Sequence, residues 1–196
     1  MKRLMWTVGC AVVSLSVAST ASAQNERSGF WFVAGLGGAS GNINLEGFID
    51  SKTLGPSGFV AGGGTISRAV LLGIEATGWR TSAADTTQQF AALLAVAIVY
   101  PSKTLPIYIK AGAGLASFQY DRLEQGVAIR YKGDALGTEL GLGVDFRLTG
   151  KLRIGAFGQW LNSTAETTRN QLPLMTANTK IDVFQFVVSL KYQSSG

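Results

Sequence analysis

Residues 134–162, DALGTELGLGVDFRLTGKLRIGAFGQWLN, decide how the rest of the chain is read. Leu136, Thr138, Leu140, Leu142, Val144, Phe146 and Leu148 recur at every second position and are apolar but for one threonine. Gly137, Glu139, Gly141, Gly143, Asp145 and Arg147 fill the positions between them. A period of two is that of a β-strand, whose successive side chains point to opposite faces. Thr149, Gly150 and Lys151 make a short connection, after which Leu152, Ile154, Ala156 and Trp160 resume the apolar face. Pairing Leu148 with Leu152 sets Phe146 against Ile154, Val144 against Ala156 and Leu140 against Trp160. On the other face Gly143 then falls opposite Phe157, leaving room for the ring. One register satisfies both faces, and a one-residue slip would break both.

The polar face is unusual. A solvated face carries Lys, Glu, Thr and Ser, whereas here glycines alternate with isolated charges of both signs. Small residues and paired charges suit a narrow interior, with the apolar face turned outward to lipid, as in a transmembrane β-barrel. A hairpin of a soluble sandwich, or of a lipocalin-like barrel, is the competing reading.

Composition favours the membrane. Charged residues make up only 15% of the 196, and mean hydropathy is +0.23. No apolar run beyond the N-terminus is long enough for a membrane helix. Glycine supplies 25 residues, roughly twice the usual share of about 7%, without the Gly-X-Y period of collagen. Residues 1–23 read as a cleaved secretory leader: Lys2 and Arg3, an apolar middle, then Ala21-Ser22-Ala23. Residues 24–196 are then the barrel domain. Removing Lys2 and Arg3 leaves 15 basic against 12 acidic residues, lowering the formal charge from +5 to +3, too mild for a nucleic-acid partner. The one cysteine, Cys10, lies in the leader, so the mature chain has no disulfide, thiolate metal site or cysteine nucleophile.

Strands are expected over residues 29–39, 57–66, 70–80, 88–100, 107–120 and 180–192, besides the two in the hairpin. The connections alternate: long at 40–56, 121–133 and 163–178, moderate at 81–87, short at 67–69, 101–106 and 149–151. This alternation places every short turn at one end. The spacing puts Leu72, Ile74 and Ala76 outward on the third strand, with Glu75 inward. On the fifth it puts Ile109, Ala111 and Leu115 outward, with Lys110 inward. On the last, Phe184, Phe186, Val188, Leu190 and Tyr192 face lipid, while Gln185, Ser189 and Lys191 face inward. The fourth, QQFAALLAVAIVY, is apolar throughout and competes with a buried helix. Read as a strand, it sends Leu94, Val96, Ile98 and Tyr100 to lipid and Ala91, Ala95 and Ala97 inside. Aromatic girdles are expected at both rims, from Tyr100, Tyr108 and Tyr192 at the short-turn end and from Trp79, Phe90, Phe118, Tyr120 and Trp160 at the other.

The opening GFWFVAGLGG, the LGIEATGW of the third strand, the LGTELGLGVDF of the sixth and the final FQFVVSLKY resemble the small eight-stranded OmpA/OmpX-type outer-membrane barrels. The likeness spans residues 29–192. It implies an all-β, eight-stranded, antiparallel, up-and-down transmembrane barrel, monomeric, in the outer membrane of a Gram-negative cell. It also implies that the last strand, which ends in an aromatic residue, is read by the barrel-insertion machinery. Gln193 to Gly196 trail beyond that aromatic, and the peptidoglycan-binding domain of larger relatives has no counterpart here.

Such a barrel has an interior just wide enough for side chains. The inward charges Glu75, Lys110, Glu139, Asp145, Arg147 and Arg153, three acids and three bases, are expected to pair as a lumenal salt-bridge network, with Asp145 diagonal to Arg153. Lipid-facing positions are Leu140, Leu142, Val144, Phe146, Trp160, Phe184, Phe186 and Tyr192. Enzymes on such barrels use a histidine, and this chain has none; no catalytic, metal or cofactor site is expected. The expected role is structural, or surface interaction through the outer loops, with outer-membrane lipids and lipopolysaccharide as partners. The rivals are a soluble periplasmic lipocalin-like binder and a small pore or transporter.

Overall fold

The computed structural model describes residues 28–45, 49–83, 85–102, 105–124, 127–169 and 177–194. The expected leader lies outside the described residues. Eight strands follow in chain order: β1 (Phe30–Leu45), β2 (Ile49–Ser67), β3 (Val70–Ala83), β4 (Thr86–Val99), β5 (Ile107–Glu124), β6 (Val127–Thr149), β7 (Leu152–Arg169) and β8 (Ala177–Gln193). Each pairs antiparallel with its neighbours in sequence, and β8 returns to pair with β1, closing an all-β barrel.

The register fixes the shape of the cylinder. A path perpendicular to the strands runs from Trp31 through Gly63, Gly73, Val96, Gly112, Glu139, Leu161 and Val183, and returns to β1 at Gly41. That is ten residues beyond its start. With a rise of about 3.3 Å per residue and strands about 4.8 Å apart, the tilt is about 41° and the backbone radius about 8 Å. An interior of that width is about what side chains can fill.

The deciding hairpin pairs as its pattern predicts. Phe146 faces Ile154, Val144 faces Ala156, Leu140 faces Trp160 and Gly143 faces Phe157. Only the turn differs. Thr149 pairs with Leu152, and the register shift between Arg147 and Thr149 bulges out Leu148. Leu140 and Leu142 are 56% and 60% exposed, while Glu139 and Asp145 are buried. The apolar face therefore looks outward, which excludes the soluble lipocalin-like reading. On β4, β5, β7 and β8 the outward apolar face runs over nine residues (91–99, 107–115, 152–160 and 184–192). At this tilt that is about 20 Å of height, near the ≈25 Å band of transmembrane barrels.

Three expectations are corrected. The face of β4 is inverted: Leu94, Val96, Ile98 and Tyr100 are buried in the lumen, while Ala91, Leu93 and Ala95 point out. With both faces apolar, the strand's own sequence holds no contrast, so its neighbour sets its facing. Glu75, which must point inward, pairs with Leu94, and paired residues share a face. The girdle aromatics are corrected too. Trp79, Phe90, Phe118, Tyr120, Tyr100 and Tyr108 all lie inside the barrel; of those expected at the rims, Trp160 is exposed and Tyr192 half-buried. Finally, the long connections are mostly strand. β1 continues to Leu45 and β2 begins at Ile49, and β5 and β6 extend to Glu124 and from Val127. The polar residues above the membrane band read as loop because nothing apolar marks their period, yet the backbone ladder continues through them.

Candidate functional site: the lumenal charge network

The lumen is built in layers. Toward the end with the longer connections, Trp79, Phe90 and Phe118 occupy laterally adjacent inward positions on β3, β4 and β5. Gly41 across the lumen makes room for the Trp79 ring, which a Cβ there would strike. With Leu94, Leu161 and Val183, these rings form an apolar layer.

Beneath it lies the charge network. Lys110 on β5 donates to both carboxylate oxygens of Glu75 on β3, at 2.9 and 2.7 Å. Its ammonium also lies 3.5 Å from Glu139 Oε1 on β6. Gly112 pairs with Glu139, and a Cβ on that glycine would crowd the Glu139 side chain. The alternating glycines thus leave volume for the charges. The amide of Gln159 donates to Gln185 Oε1 at 2.6 Å and to Glu75 Oε1 at 3.5 Å, and Thr77 donates to Gln185 Oε1 at 3.3 Å. Phe157 and Phe59 pack edge to face, centroids 4.9 Å apart, and the Lys110 ammonium stands 4.5 and 5.2 Å from their centres. Cation–π contact and two carboxylates together offset its desolvation.

A second cluster lies toward the short-turn rim. Tyr100 donates to Asp145 Oδ2 at 2.6 Å, and Lys191 donates to the Tyr100 hydroxyl at 2.8 Å. Lys191 and Arg153 stand 3.5 and 3.7 Å from the Asp145 carboxylate. Between the clusters is a cavity of about 20 Å³ lined by residues including Glu75, Tyr108, Lys110, Asp145 and Lys191, room for about one water.

The six charges anticipated from sequence all point inward, but they fall into two groups: Glu75, Lys110 and Glu139, then Asp145 with Arg153. Arg147 joins neither group; it pairs with Arg153 across the β6–β7 ladder, and its buried Nε makes no hydrogen bond. Sequence reasoning left Tyr100, Lys191, Gln159, Gln185 and Thr77 out of the network. Alternation on β7 and β8 carries the signal for Gln159, Gln185 and Lys191, each flanked by outward residues. Nothing in β4 could have placed Tyr100. Among the described residues there is no group of three or more His, Cys, Asp or Glu able to hold a metal ion.

A closed eight-stranded barrel, apolar outside and charged within, is the architecture of a small integral protein of the outer membrane. The chain belongs to the outer membrane protein beta-barrel domain family, whose model matches residues 8–193. No match was found among curated protein sequences. Among solved structures it is similar to Ail, the attachment invasion locus protein of Yersinia pestis, at 10% identity over 84% of this chain and 99% of that one, TM-score 0.60. It is also similar to Neisserial surface protein A (15% identity, 87% and 100%, TM-score 0.57). OprG from Pseudomonas aeruginosa is a third (14%, 89% and 100%, TM-score 0.52). At these identities the likeness is one of fold.

Proposed function

We propose that this protein is a sealed outer-membrane barrel: its lumen is plugged by the ion-pair network, and its extended outer hairpins act as an interaction surface. The observation that carries the plug is the Lys110–Glu75–Glu139 cluster, tied through Gln159 and Gln185 to β7 and β8. It crosses a lumen about 8 Å in backbone radius beneath an aromatic layer. Planar-bilayer recordings of the purified protein should show no steady conductance, and a sustained, sizeable one would overturn the plug in favour of a small pore.

The surface role rests on the outer hairpins. The β5–β6 ladder continues through Gln119–Lys132 and Asp121–Arg130 to Glu124–Val127, and Arg130 donates to Asp121 at 2.7 Å. Arg130 beside Asp121 holds that carboxyl below the usual carboxylate range. A paired, hydrogen-bonded edge above the membrane is a firmer platform than a free loop. Outer-membrane lipids, including lipopolysaccharide, would contact the outward face, the insertion machinery would read β8, and the barrel would act as a monomer without catalysis. Binding of the purified barrel to lipopolysaccharide and to whole host cells, with and without the outer ends of the β1–β2, β5–β6 and β7–β8 hairpins, tests the surface role. Equal binding after removal of all three would refute it.

A further inference from the structure

We propose that a groove across the outside of the barrel seats one phosphorylated glycolipid of the outer leaflet. This deepens the lipid contact proposed above: it rests on the apolar face meeting the membrane, and not on the plug or the hairpins.

The groove follows from which side chains are missing. Gly58, Gly78, Ala91, Ser117 and Asp134 pair in turn across β2 to β6, so they form one outward row perpendicular to the strands. All but the last carry little or no side chain. The next outward row toward the short turns holds Leu93, Leu115 and Leu136, which stand 54%, 67% and 76% exposed. The next outward row toward the outer hairpins holds Arg80, Gln89, Gln119 and Lys132. Between these two ridges lies a trough of about 880 Å³ over β3 to β6. It continues as a trough of about 380 Å³ over β1 to β4, and the two meet at Ala91. Four strand spacings make the floor about 19 Å long.

Depth and charge together name the occupant. Strands tilted by about 41° incline a perpendicular row by the same angle to the membrane plane. The outward apolar residues show which end is deeper. On β2 they continue outward past Gly58 through Pro56 to Leu54, whereas on β5 and β6 they stop at Leu115 and Leu136, short of Ser117 and Asp134. The groove therefore climbs from the acyl region at Gly58 to the headgroup region at Asp134. An acyl chain fits the deep end, where the floor is glycine and alanine.

Along the upper ridge the exposed Arg80 and Lys132 stand three strand spacings, about 14 Å, apart. Both are donors suited to phosphate oxygens. The acid above them, Asp121, has its own partners in Arg130 and Gln119, at 2.7 and 2.8 Å. Ser117 and Asp134 end the floor, and Asp134 suits a sugar hydroxyl, from which it accepts, rather than a phosphate. An apolar trough beside two cations and hydroxyl partners matches an acylated, phosphorylated sugar. A second barrel fits less well, because two convex walls meet along a line and leave the trough unfilled.

The test titrates the whole barrel, in zwitterionic detergent, with diphosphoryl lipid A and counts the copies retained by native mass spectrometry. One saturable copy is expected. Arg80→Gln and Lys132→Gln should each weaken it about tenfold, the loss of one charge-assisted hydrogen bond. Ala91→Trp fills the floor and should abolish retention. Ala95→Trp, equally outward but lower on β4, and Lys180→Gln, on β8, should bind as the parent does. Phosphatidylglycerol, which has the phosphate without the sugar, should be retained more weakly, and equal retention would overturn the glycolipid. Many weak adducts with no saturable copy would overturn the site while leaving a general lipid contact standing. Retention unchanged in Ala91→Trp would overturn it too, and a concentration-dependent dimer lost in that variant would replace the lipid with a second copy.

Discussion

Replacing Lys110 with methionine separates what holds this barrel together from what merely fills it. The ammonium is 2% exposed and lies 2.7 Å from a Glu75 carboxylate that is 1% exposed, with Glu139 3.5 Å away. Methionine keeps most of the volume and leaves both carboxylates in the lumen without their cation. Removing one partner of a buried pair costs about 3–5 kcal/mol. The lost contact with the Phe157 ring adds about 1–2 kcal/mol. A total of about 4–7 kcal/mol corresponds to roughly a 10³- to 10⁵-fold change in the folding constant. The triple variant Glu75→Leu/Lys110→Met/Glu139→Leu removes the charges as a set, and should be neutral or more stable than the parent by about 1–4 kcal/mol. Reversible urea unfolding in lipid vesicles, extrapolated linearly, reads both. A Lys110→Met cost below about 1 kcal/mol, or a triple variant as weak as the single one, would refute the reasoning. The triple variant should also remain non-conducting, since Trp79, Phe90 and Phe118 still close the lumen above it.

The remaining expectations are simpler. Gly143→Ala should cost about 1–3 kcal/mol by overpacking, because its Cβ would come within 2.5 Å of both Phe157 and Tyr108. Gly64→Ala meets nothing within 4 Å and should change the urea midpoint little. Leu142→Arg, on the outward face, should lose about 2–4 kcal/mol in vesicles, and an unchanged midpoint there would place Leu142 away from lipid. Tryptophan at position 93 should be quenched by brominated acyl chains, whereas tryptophan at 94 should not; the reverse result would restore the facing read from sequence. Acidification should release the Asp121–Arg130 pair. The depressed Asp121 pKa means its contribution is present above the unfolded value and is lost as pH falls through the folded one. In Arg130→Gln the Asp121 titration, followed by carboxyl NMR shifts, should move up toward the usual range.

How far the sequence carried depended on contrast between faces. β6 and β7 set Leu, Val and Phe against Gly, Glu and Asp, so two independent patterns specified one register, and the structure pairs them so. β3, β5 and β8 carry single charged or amide residues among apolar ones, which is enough to orient Glu75, Lys110 and Gln185. β4 has alanine and leucine on both faces, so its orientation is information held by β3 and β5. Closure transmits it: Leu94 is inward because Glu75 is its partner and Gly114 lies on its other side. Tyr100 was misplaced with it, and the Asp145 cluster could not be completed without Tyr100. The bulge at Leu148 was hidden for a related reason. Leu148 and Thr149 both suit an exposed rim, so neither face objected to either register.

The same inversion bears on the plug proposed for the lumen. Had Leu94, Val96 and Ile98 faced lipid, Ala91, Ala95 and Ala97 would have left a gap beside Lys110 wide enough for water, and the charges could have lined a wet path. Instead these side chains are buried in the lumen, and Ile98 lines the cavity of about 20 Å³ beside Glu75 and Lys110. Charges held in so small a space must pair with one another. Glu75 and Glu139 do so with Lys110, at 2.7 and 3.5 Å. Asp145 does so with Arg153 and Lys191, at 3.7 and 3.5 Å. In the plug we propose, the apolar side chains of β4 and these pairs act together, the first taking up volume and the second satisfying the charges that remain.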